Sequence, residues 1–423
     1  MDTVKLPEAA AHLSPIWGRY GDFVADHAEG VYVYDTAGKR HLDFTSGIGV
    51  TNTGHCHPKV VAALREQAGK MIHAELNIQY HEPAFRLVQE LLTVVPKPLD
   101  SFFFTNSGAE AIEAAVKLAR QTSRRPNIIA FQGGFHGRTN ATMALTSSKA
   151  AYRRGYGPLM AGVHIAPFPY AYRLQMSEEQ ASDFCLNELR YMLATQTPPE
   201  DVAAILIESV IGEGGYLVPQ ASFMRGLRAL CDEHGILLIL DEVQSGFGRT
   251  GKWFACEHFG VVPDIMVMAK GIASGMPLSS IAASRELMAK WQVGTHGGTY
   301  TGNAMACAAA VATIQAMREE RMVENAAAMG EMLRDGLSEL QSRHPAIGQV
   351  RGLGLMMAAE FGTARAPETR MVKAVVHRAG DDGLMLLTCG PFDNVIRFVP
   401  PLVVNESQIE EGLRILEKAL QAA

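Results

Sequence analysis

Five short apolar segments, separated by stretches with helical spacing, constrain the fold of this chain more than any other feature. The segments are SFFFTNSG, NIIAFQG, VAAILIES, GILLILDEV and DIMVMAK. Apolar runs without polar alternation are typical of strands that are buried on both faces of a parallel sheet. After the first segment, Ala109, Ile112, Val116 and Ala119 follow the spacing of an amphipathic helix. The pattern predicts an α/β fold with a large, mainly parallel sheet.

The chain is long enough for two domains. It has 423 residues, of which 48% are hydrophobic, and single hydrophobic cores rarely grow beyond roughly 250–300 residues. We expect a large domain over residues 51–320 and a smaller α+β domain over residues 321–423, which ends in a helix after Asn405. Residues 1–50, with a hairpin around Gly38, are expected to pack with the small domain.

Charge and ligand spacing exclude several classes of function. The net charge is −6 and no segment is dense in lysine and arginine, so neither nucleic acid nor an anionic membrane is expected as a partner. No apolar run reaches the ~18 residues of a membrane span, and no signal-peptide pattern is present. His55, Cys56 and His57 are adjacent and lack a further spaced ligand, so no metal site is expected. Six cysteines without a close pair favour the reducing cytoplasm.

The segment LLILDEVQSGFGRTGK, residues 237–252, allows two interpretations. Gly246, Gly251 and Lys252 fit the pattern of a phosphate-binding loop in a nucleotide hydrolase. Trp253, however, stands where such a loop needs a hydroxyl ligand for Mg²⁺. The loop also follows the Asp-Glu strand within a few residues, which leaves no room for the intervening helix and strands. A nucleotide-hydrolysing site is therefore disfavoured.

The second interpretation gives this segment a carboxylate that serves an organic cofactor. Asp241 and Lys270 each end a predicted strand, and open α/β sheets bind ligands at the carboxyl ends of their strands. A lysine in apolar surroundings shifts toward its neutral, nucleophilic form, which suits Schiff-base chemistry. A carboxylate for the ring nitrogen and a lysine that forms an imine are the protein groups that pyridoxal phosphate requires. Taken singly, a helix cap and a solvated strand end would explain the two residues as well.

A phosphate site and an aromatic cover for the ring are also found in the sequence. Ser107 and Gly108 stand between a predicted strand and a predicted helix, whose free N–H groups attract an anion. Phe135 and His136 lie in the glycine-rich loop GGFHGRT, where an aromatic ring could cover a planar cofactor. An ordinary serine cap and a core phenylalanine are the simpler alternatives.

Together these motifs resemble those of the class III aminotransferases, which are fold-type I pyridoxal phosphate enzymes. The matching motifs are FFFTNSGAEA, FHGRT, GEGG, LDEVQSGFGRTGK, MAKG, GGTYTGN and NVIRFVPPL. The resemblance runs from about Gly47 to the C-terminus and implies pyridoxal 5′-phosphate as the cofactor. It also implies ping-pong transfer from an amine donor to a 2-oxo acid acceptor, in a homodimer or a dimer of dimers.

The resemblance implies roles for the residues around the cofactor ring. Lys270 would hold the cofactor covalently, and Asp241 would bind its pyridine nitrogen. Phe135 would stack on one face of the ring and Val243 would press on the other. Gln244 would reach the phenolic oxygen.

The phosphate and the surroundings of the ring have implied ligands as well. The phosphate would be bound by Ser107, Gly108 and Ala109, with Thr299 contributed by a second subunit. Glu208 would help to hold the residues on the substrate side. His136 would lie beside them without a specified role.

Four residues match the substrate-binding positions of the family. Arg397 lies in an apolar strand, where a guanidinium can grip a carboxylate with two hydrogen bonds, and it matches the arginine for the α-carboxylate. Glu213 matches the acid that pairs with this arginine when an ω-amino substrate is bound, so the pair would act as a switch. Arg138 matches the arginine for the distal carboxylate, and Ile48 matches an apolar residue of the same pocket. A structural ion pair is the alternative for each arginine.

The implied substrate is an unbranched ω-amino acid, 4-aminobutyrate foremost, with 2-oxoglutarate as acceptor. Aminotransferases for acetylornithine and ornithine share the two arginines and the acid in kind, so a longer ω-amine is an open alternative. A further branch of the family racemises or epimerises amino acids with the same lysine and aspartate. The chain departs from the usual family motif IEPVQGEGG at Ser209 and Ile211.

Overall fold

The computed structural model describes residues 9–21 and 23–423, which form three sheets and the helices that surround them. In chain order the strands are β1 (Ala25–Glu29), β2 (Tyr32–Asp35), β3 (Arg40–Asp43), β4 (Ser101–Thr105), β5 (Asn127–Phe131), β6 (Val163–Ala166), β7 (Val202–Glu208), β8 (Leu237–Asp241), β9 (Ile265–Met268), β10 (Ser279–Ala283), β11 (Ile347–Leu353), β12 (Met356–Thr363), β13 (Ala366–Pro367), β14 (Leu384–Met385), β15 (Leu387–Cys389) and β16 (Val395–Phe398).

Helices of very different length connect these strands. In chain order they are α1 (Ser46–Gly49), α2 (Pro58–Lys70), α3 (Glu82–Leu91), α4 (Gly108–Ser123), α5 (Asn140–Leu145), α6 (Ala171–Leu174), α7 (Glu178–Thr195), α8 (Ala221–His234), α9 (Cys256–Phe259), α10 (Arg285–Ala289), α11 (Ala304–Glu319), α12 (Met322–Arg343), α13 (Thr369–Asp381) and α14 (Glu406–Gln421). Short 3₁₀ turns lie at Ala150–Tyr152, Pro199–Asp201 and Lys270–Ile272. No helix in residues 9–21 and 23–423 is long and apolar enough to cross a membrane. The cytoplasmic location stays a prediction.

The largest sheet has seven strands in the order β4-β10-β9-β8-β7-β5-β6. Strands β9, β8, β7, β5 and β6 run parallel to one another, whereas β10 is antiparallel to both of its neighbours. All seven residues of β7 are buried, as expected for a strand with helices on both faces of its sheet. The predicted α/β fold with a large, mainly parallel sheet is confirmed.

The remaining strands form two smaller sheets that join distant parts of the chain. The hairpin β2–β3 turns at Gly38, whose φ is +83°, and β3 pairs in parallel with β14. In the other sheet β12 lies between β11 and β16, all antiparallel. Asn405 caps the helix α14, and its side chain accepts from the backbone N–H of Gln408. The division into residues 1–50, 51–320 and 321–423 stays a prediction.

Arg249 connects distant segments of the fold. Its side chain is fully buried and donates to the carbonyl oxygens of Leu355, at 3.1 Å, and of Pro400. It also donates to Oδ1 of Asn52 over 2.8 Å. Burial lowers the pKa of Arg249 to about 10. The glycine-rich segment after β8 is therefore a packed junction, which agrees with the rejection of a phosphate-binding loop.

Candidate active site

Two buried carboxylates end neighbouring strands of the large sheet. Glu208 is the last residue of β7, Asp241 is the last residue of β8, and the two are register partners. Only 6% of Glu208 and 5% of Asp241 is exposed. Burial raises the pKa of Glu208 to about 7, against the effect of His136 and together with the charge of Asp241. Buried charges need compensation, so this edge of the sheet favours cationic or hydrogen-bonding partners.

His136 lies directly beside Asp241. Its Nδ1 is 2.8 Å from Oδ2 of Asp241, and the backbone N–H of Val243 donates to Oδ1 over 3.0 Å. Because an ionised carboxylate only accepts hydrogen bonds, Nδ1 carries the proton between the two side chains. The imidazole therefore fixes the orientation of Asp241. The sequence alone had left the role of His136 unspecified.

Lys270 reaches the same edge of the sheet from an unusual backbone conformation. It follows β9, which pairs with β8, and its φ of 48° lies in the left-handed region that non-glycine residues rarely adopt. Burial lowers the pKa of Lys270, while the charges of Asp241 and Glu208 oppose the shift. A lysine with a lowered pKa is more often neutral, and so can act as a nucleophile or as a proton acceptor.

Glu208 holds two loops that carry other candidate residues. Its Oε1 accepts from the backbone N–H of Phe135, and its Oε2 accepts from that of Gly212, each at 2.8 Å. Phe135 belongs to the loop after β5, and Gly212 begins the GEGG segment. The ring of Phe135 packs edge-to-face on Tyr152, with centroids 5.5 Å apart. The carboxylate thus fixes both loops against the ends of β7 and β8.

The start of α4 lies against Val243, the second residue after β8. Ser107 caps this helix, and its carbonyl oxygen accepts from the hydroxyl of Ser279 at 2.8 Å. A Cβ at Gly108 would lie 3.1 Å from Cγ1 of Val243, so glycine permits the close approach. The first N–H groups of α4, from Gly108 and Ala109, have no partner within the helix. Free N–H groups at the start of a helix favour the binding of an anion.

Gln244 and Ile48 approach each other at the rim of this region. Nε2 of Gln244 donates to the carbonyl oxygen of Ile48 over 3.4 Å. Oε1 of Gln244 is buried and has no hydrogen-bond partner among the described residues. Ile48 is 45% exposed and has a φ of 69°, a strained conformation for a β-branched residue. Its side chain therefore lies at the surface, where it can contact a substrate.

Arg397 and Glu213 form an ion pair inside a small charged cluster. Nη1 of Arg397 lies 2.9 Å from Oε2 of Glu213. The other oxygen, Oε1, accepts from the hydroxyl of Tyr152 at 2.8 Å and lies 3.5 Å from Nζ of Lys149. Lys149 is also paired with Asp393 at 2.6 Å. Glu213 thus shares its charge between two cations and a phenol.

Arg138 lies at the other end of the same cluster. Its guanidinium is 4.8 Å from the ring centre of Tyr152 and 5.8 Å from that of Phe135, in cation–π geometry. The side chain is exposed, and within the described part of the chain it forms no ion pair. Its charge is therefore free to meet a carboxylate from solution.

Thr299 lies apart from the other candidates in a single chain. It lines an open cavity of about 1030 Å³ between residues 73–79 and 294–299. None of the other candidate residues lines that cavity in the part of the chain described. Large apolar side chains nearby are exposed, among them Ile78 (81%), Tyr80 (77%) and Tyr300 (67%).

Comparison with known proteins places this arrangement in a family. The family model described as aminotransferase class-III matches residues 18–420. This chain belongs to the class III aminotransferases. The family predicted from the motifs is confirmed, and the protein is an enzyme that transfers an amino group from an amine donor to a keto acid.

Relatives and solved structures match this aminotransferase over nearly its whole length. It is 44% identical to a 5-aminovalerate aminotransferase of Pseudomonas aeruginosa, over 94% of this chain and 93% of that one. It is 41% identical to a 4-aminobutyrate aminotransferase of Escherichia coli, over 99% and 96%. A solved Bacillus anthracis aminotransferase is 31% identical with a TM-score of 0.93, over 100% of both chains. An amine transaminase from an uncultivated Pseudomonas species, solved in its PLP-bound form, is 29% identical with a TM-score of 0.91, over 97% and 99%.

The cofactor of this aminotransferase is pyridoxal 5′-phosphate, as predicted, and the residues present fit it. A Cβ at Gly108 would press against Val243, with 3.1 Å to its Cγ1, so glycine leaves space where α4 begins. The buried Oε1 of Gln244 has no partner among the described residues. Lys270 has a lowered pKa beside Asp241. A helix start for the phosphate, an amide with an unpaired buried atom, and a lysine of lowered pKa near a buried aspartate are what a phosphorylated pyridine aldehyde needs.

Sequence reasoning missed Lys149 and Tyr152, two residues that contact the candidate site through Glu213. They lie in and beside a 3₁₀ turn between β5 and β6. Burial, together with Glu213, raises the pKa of Tyr152 to about 12, so the phenol stays protonated and donates. Their segment SSKAAYRRG has no periodic pattern. The basic and aromatic residues so close to FHGRT were the available signal.

The departures from the family motif have structural partners. The hydroxyl of Ser209 donates to Oε1 of the fully buried Glu242 over 2.7 Å. Ser245 donates to Oε2 at 2.5 Å. Ile211 packs beside the glycines of the GEGG segment, where a Cβ at Gly214 would lie 2.7 Å from its Cγ2. The changed motif therefore satisfies a buried carboxylate and places a fully buried apolar side chain at residue 211.

The histidines of GHCHP pair with carboxylates. Nε2 of His55 lies 2.8 Å from Asp43, and Nε2 of His57 lies 3.0 Å from Glu320. The φ of Cys56 between them is 52°. Among the described residues no cluster of three or more potential ligands is arranged to hold a metal ion.

Proposed function

We propose that this aminotransferase transfers the amino group of an unbranched ω-amino acid, 4-aminobutyrate foremost, to 2-oxoglutarate. The observation that carries the proposal is a continuous row of side chains: Arg138 over Tyr152, Tyr152 to Glu213, and Glu213 to Arg397. The row presents one arginine that has no ion pair within the described residues and one that is neutralised. This pattern suits a substrate with a single carboxylate far from its amine.

The donor half-reaction would use these side chains in the arrangement that the structure has, with Arg397 paired to Glu213. Arg138 would bind the distal carboxylate of the ω-amino acid, and Ile48 would contact its methylene chain. Glu213 compensates the positive charge of Arg397, so the carbon that bears the amine faces no unpaired charge. The exposed Arg138 and the closed pair of Arg397 with Glu213 support this assignment.

The acceptor half-reaction requires Arg397 to leave Glu213. A 2-oxo acid carries a carboxylate next to its reacting carbon, and a guanidinium can bind it with two hydrogen bonds. Nε of Arg397 is buried and has no partner among the described residues. The second carboxylate of 2-oxoglutarate would take the place of the donor's carboxylate at Arg138.

The same geometry supports a set of residues that would hold the cofactor. Lys270 would bind the cofactor covalently, Asp241 would bind the ring nitrogen, and Ser107, Gly108 and Ala109 would bind the phosphate. Phe135 and Val243 would enclose the ring, and Gln244 would reach its phenolic oxygen. When bound, the cofactor stores the amino group between the half-reactions and accepts the electron pair of the broken C–H bond.

The protein residues supply proton transfer and charge. Lys270, with its lowered pKa, would take the proton from the substrate carbon and return it, as a positioned general base and acid. Asp241, oriented by His136, would keep the ring nitrogen protonated. Glu208 would hold Phe135 and the GEGG segment in place. These contributions are set before the reaction begins, which lowers its barrier.

A five-carbon donor is the second candidate. The 44% identity to the Pseudomonas aeruginosa enzyme named for 5-aminovalerate supports it. The two candidates differ by one methylene group, which a hydrophobic pocket discriminates by only about 1–3 kcal/mol. The ratio of kcat/KM for 4-aminobutyrate and 5-aminovalerate decides between them.

We also propose that the active unit is a homodimer or a dimer of dimers, with Thr299 completing the partner's phosphate site. The exposed Ile78, Tyr80 and Tyr300 beside its cavity support a covered surface. Sedimentation of the active enzyme tests it. A fully active monomer would contradict a shared site.

The proposed function is tested by separate half-reactions. The enzyme in its pyridoxal form should convert 4-aminobutyrate to a semialdehyde, and the resulting pyridoxamine form should convert 2-oxoglutarate to glutamate. Both steps can be followed by the change in cofactor absorbance. Failure of every ω-amino acid in the first step would overturn the proposal.

A further inference from the structure

We propose that Lys149 is the residue that holds Glu213 once Glu213 has released Arg397, and that it thereby sets how readily the site accepts a substrate with an α-carboxylate. The inference rests on the proposed function and deepens it. Lys149 is a positioning residue, since it acts through Glu213 and not on the reacting atoms.

The contacts of Glu213 divide between its two oxygens. Oε2 accepts from Arg397, while Oε1 accepts from Tyr152 and lies 3.5 Å from Nζ of Lys149. Loss of the Arg397 contact therefore frees one oxygen and leaves the other engaged. Glu213 can therefore rotate away from Arg397 while its Oε1 keeps its contacts with Tyr152 and Lys149.

Charge balance makes Lys149 necessary for that turn. Within the described residues, Arg397 and Lys149 are the cations that lie within 4.0 Å of Glu213. A carboxylate that binds Arg397 adds a negative charge to the cluster and removes the cation from Glu213. The side chains of Glu213 and Lys149 are only 14% and 13% exposed, so an unpaired carboxylate here would be costly.

Lys149 remains charged for this role. Burial by itself would lower the pKa of Lys149, but the hydrogen bond to Asp393 and the charge of Glu213 outweigh it and raise the pKa. In the closed state Lys149 is closer to Asp393, at 2.6 Å, than to Glu213. A short shift of the ammonium toward Glu213 is therefore available when Arg397 is occupied.

The test compares Lys149→Met with the wild-type holoenzyme. Its first readout is the Kd of glutarate, an unreactive dicarboxylate, measured by calorimetry. Glutarate must open the pair of Arg397 and Glu213, so its Kd should rise about tenfold, as for a typical coupling between sites. The 4-aminobutyrate half-reaction needs no opening and should stay within about twofold. Equal losses in both half-reactions, or an unchanged glutarate Kd, would overturn the inference.

Two further variants separate the proposed role from structural damage and from general charge. Lys149→Arg keeps the cation and should restore glutarate binding. Arg153→Met removes a neighbouring positive charge that makes no ion pair with Glu213 within the described residues, and should leave glutarate binding unchanged. If Arg153→Met weakened glutarate binding as much as Lys149→Met does, both residues would act only by general attraction of anions, and the inference would be overturned.

A double-mutant cycle with Glu213→Gln gives the decisive comparison. Without the carboxylate there is nothing for Lys149 to hold, so Lys149→Met should then change the glutarate Kd by less than about twofold. A persisting tenfold loss would overturn the inference. If the wild type accepts no ω-amino acid, the proposed function fails and this inference with it. If the wild type performs both half-reactions and the cycle shows no coupling, the inference alone fails.

Discussion

Oε2 of Glu213 lies 2.9 Å from Nη1 of Arg397, across 184 residues of the chain. The contact neutralises the arginine through one nitrogen, while its buried Nε has no hydrogen-bond partner among the described residues. A guanidinium held at one edge can exchange its partner without leaving its place. The pair therefore gives one site two charge states, one for each half-reaction.

Opposite substitutions in this pair should separate the half-reactions. Arg397→Lys keeps a charge but loses the two-pronged grip, so the 2-oxoglutarate half-reaction should weaken by about 2–5 kcal/mol while the ω-amine half-reaction is spared. Glu213→Gln leaves Arg397 unpaired and should have the reverse effect. Single-turnover rates for each half-reaction measure both. Parallel losses in the two half-reactions would contradict the switch.

Lys270 should carry the cofactor and move the proton. Borohydride reduction followed by peptide mapping should place the label on Lys270 and no other lysine. Lys270→Ala should reduce turnover by about 10²–10⁴-fold through loss of proton transfer, and further through loss of imine exchange. A label elsewhere, or turnover near that of the wild type, would refute the assignment.

Glu208 should make stability depend on pH. Its pKa is raised from 4.5 to about 7, so between these values the folded protein holds a proton that the unfolded chain has lost. The free energy of unfolding therefore falls as the pH rises through this window. Glu208→Gln removes this titrating group. Between about pH 5 and about pH 8 the melting temperature of the wild type should therefore fall, relative to that of the variant, on the order of a few degrees. Parallel profiles would show that Glu208 ionises normally.

Ser209 should contribute stability and not specificity. Ser209→Ala leaves the buried Glu242 with one donor fewer, which should lower the free energy of unfolding by about 1–3 kcal/mol. Ser245→Ala removes the other hydroxyl from the same carboxylate and serves as the matched control. Chemical denaturation measures both. A change in donor preference for Ser209→Ala alone would mean that the altered motif shapes the substrate pocket.

The sequence predicted five of the seven strands of the large sheet, missing β6 and β10, together with Asp241 and Lys270 at its edge. The segments around Ile205, Ile239 and Val267 are continuous apolar runs because both faces of the sheet are covered. Parallel strands bring their carboxyl ends together, so Glu208, Asp241 and Lys270 had to lie near one another.

Contacts made by irregular loops could not be predicted in the same way. Tyr152 meets Glu213 across 61 residues, and Lys149 meets Asp393 across 244, from a segment without periodicity. The hydrogen bond between His136 and Asp241 depends on how the loop after β5 turns. Such contacts follow from the path of the backbone between elements, which local sequence preferences specify weakly.

The most direct test of the account is a single-turnover panel with the pyridoxal form of the enzyme. The donors are 4-aminobutyrate, 5-aminovalerate, ornithine, acetylornithine, lysine and both enantiomers of common α-amino acids. We expect 4-aminobutyrate to react fastest, with its cofactor absorbance restored by 2-oxoglutarate. Faster hydrogen exchange at the α-carbon of α-amino acids than any amino transfer would identify a racemase and contradict the account. Preference for acetylornithine would leave the chemistry intact but overturn the proposed substrate.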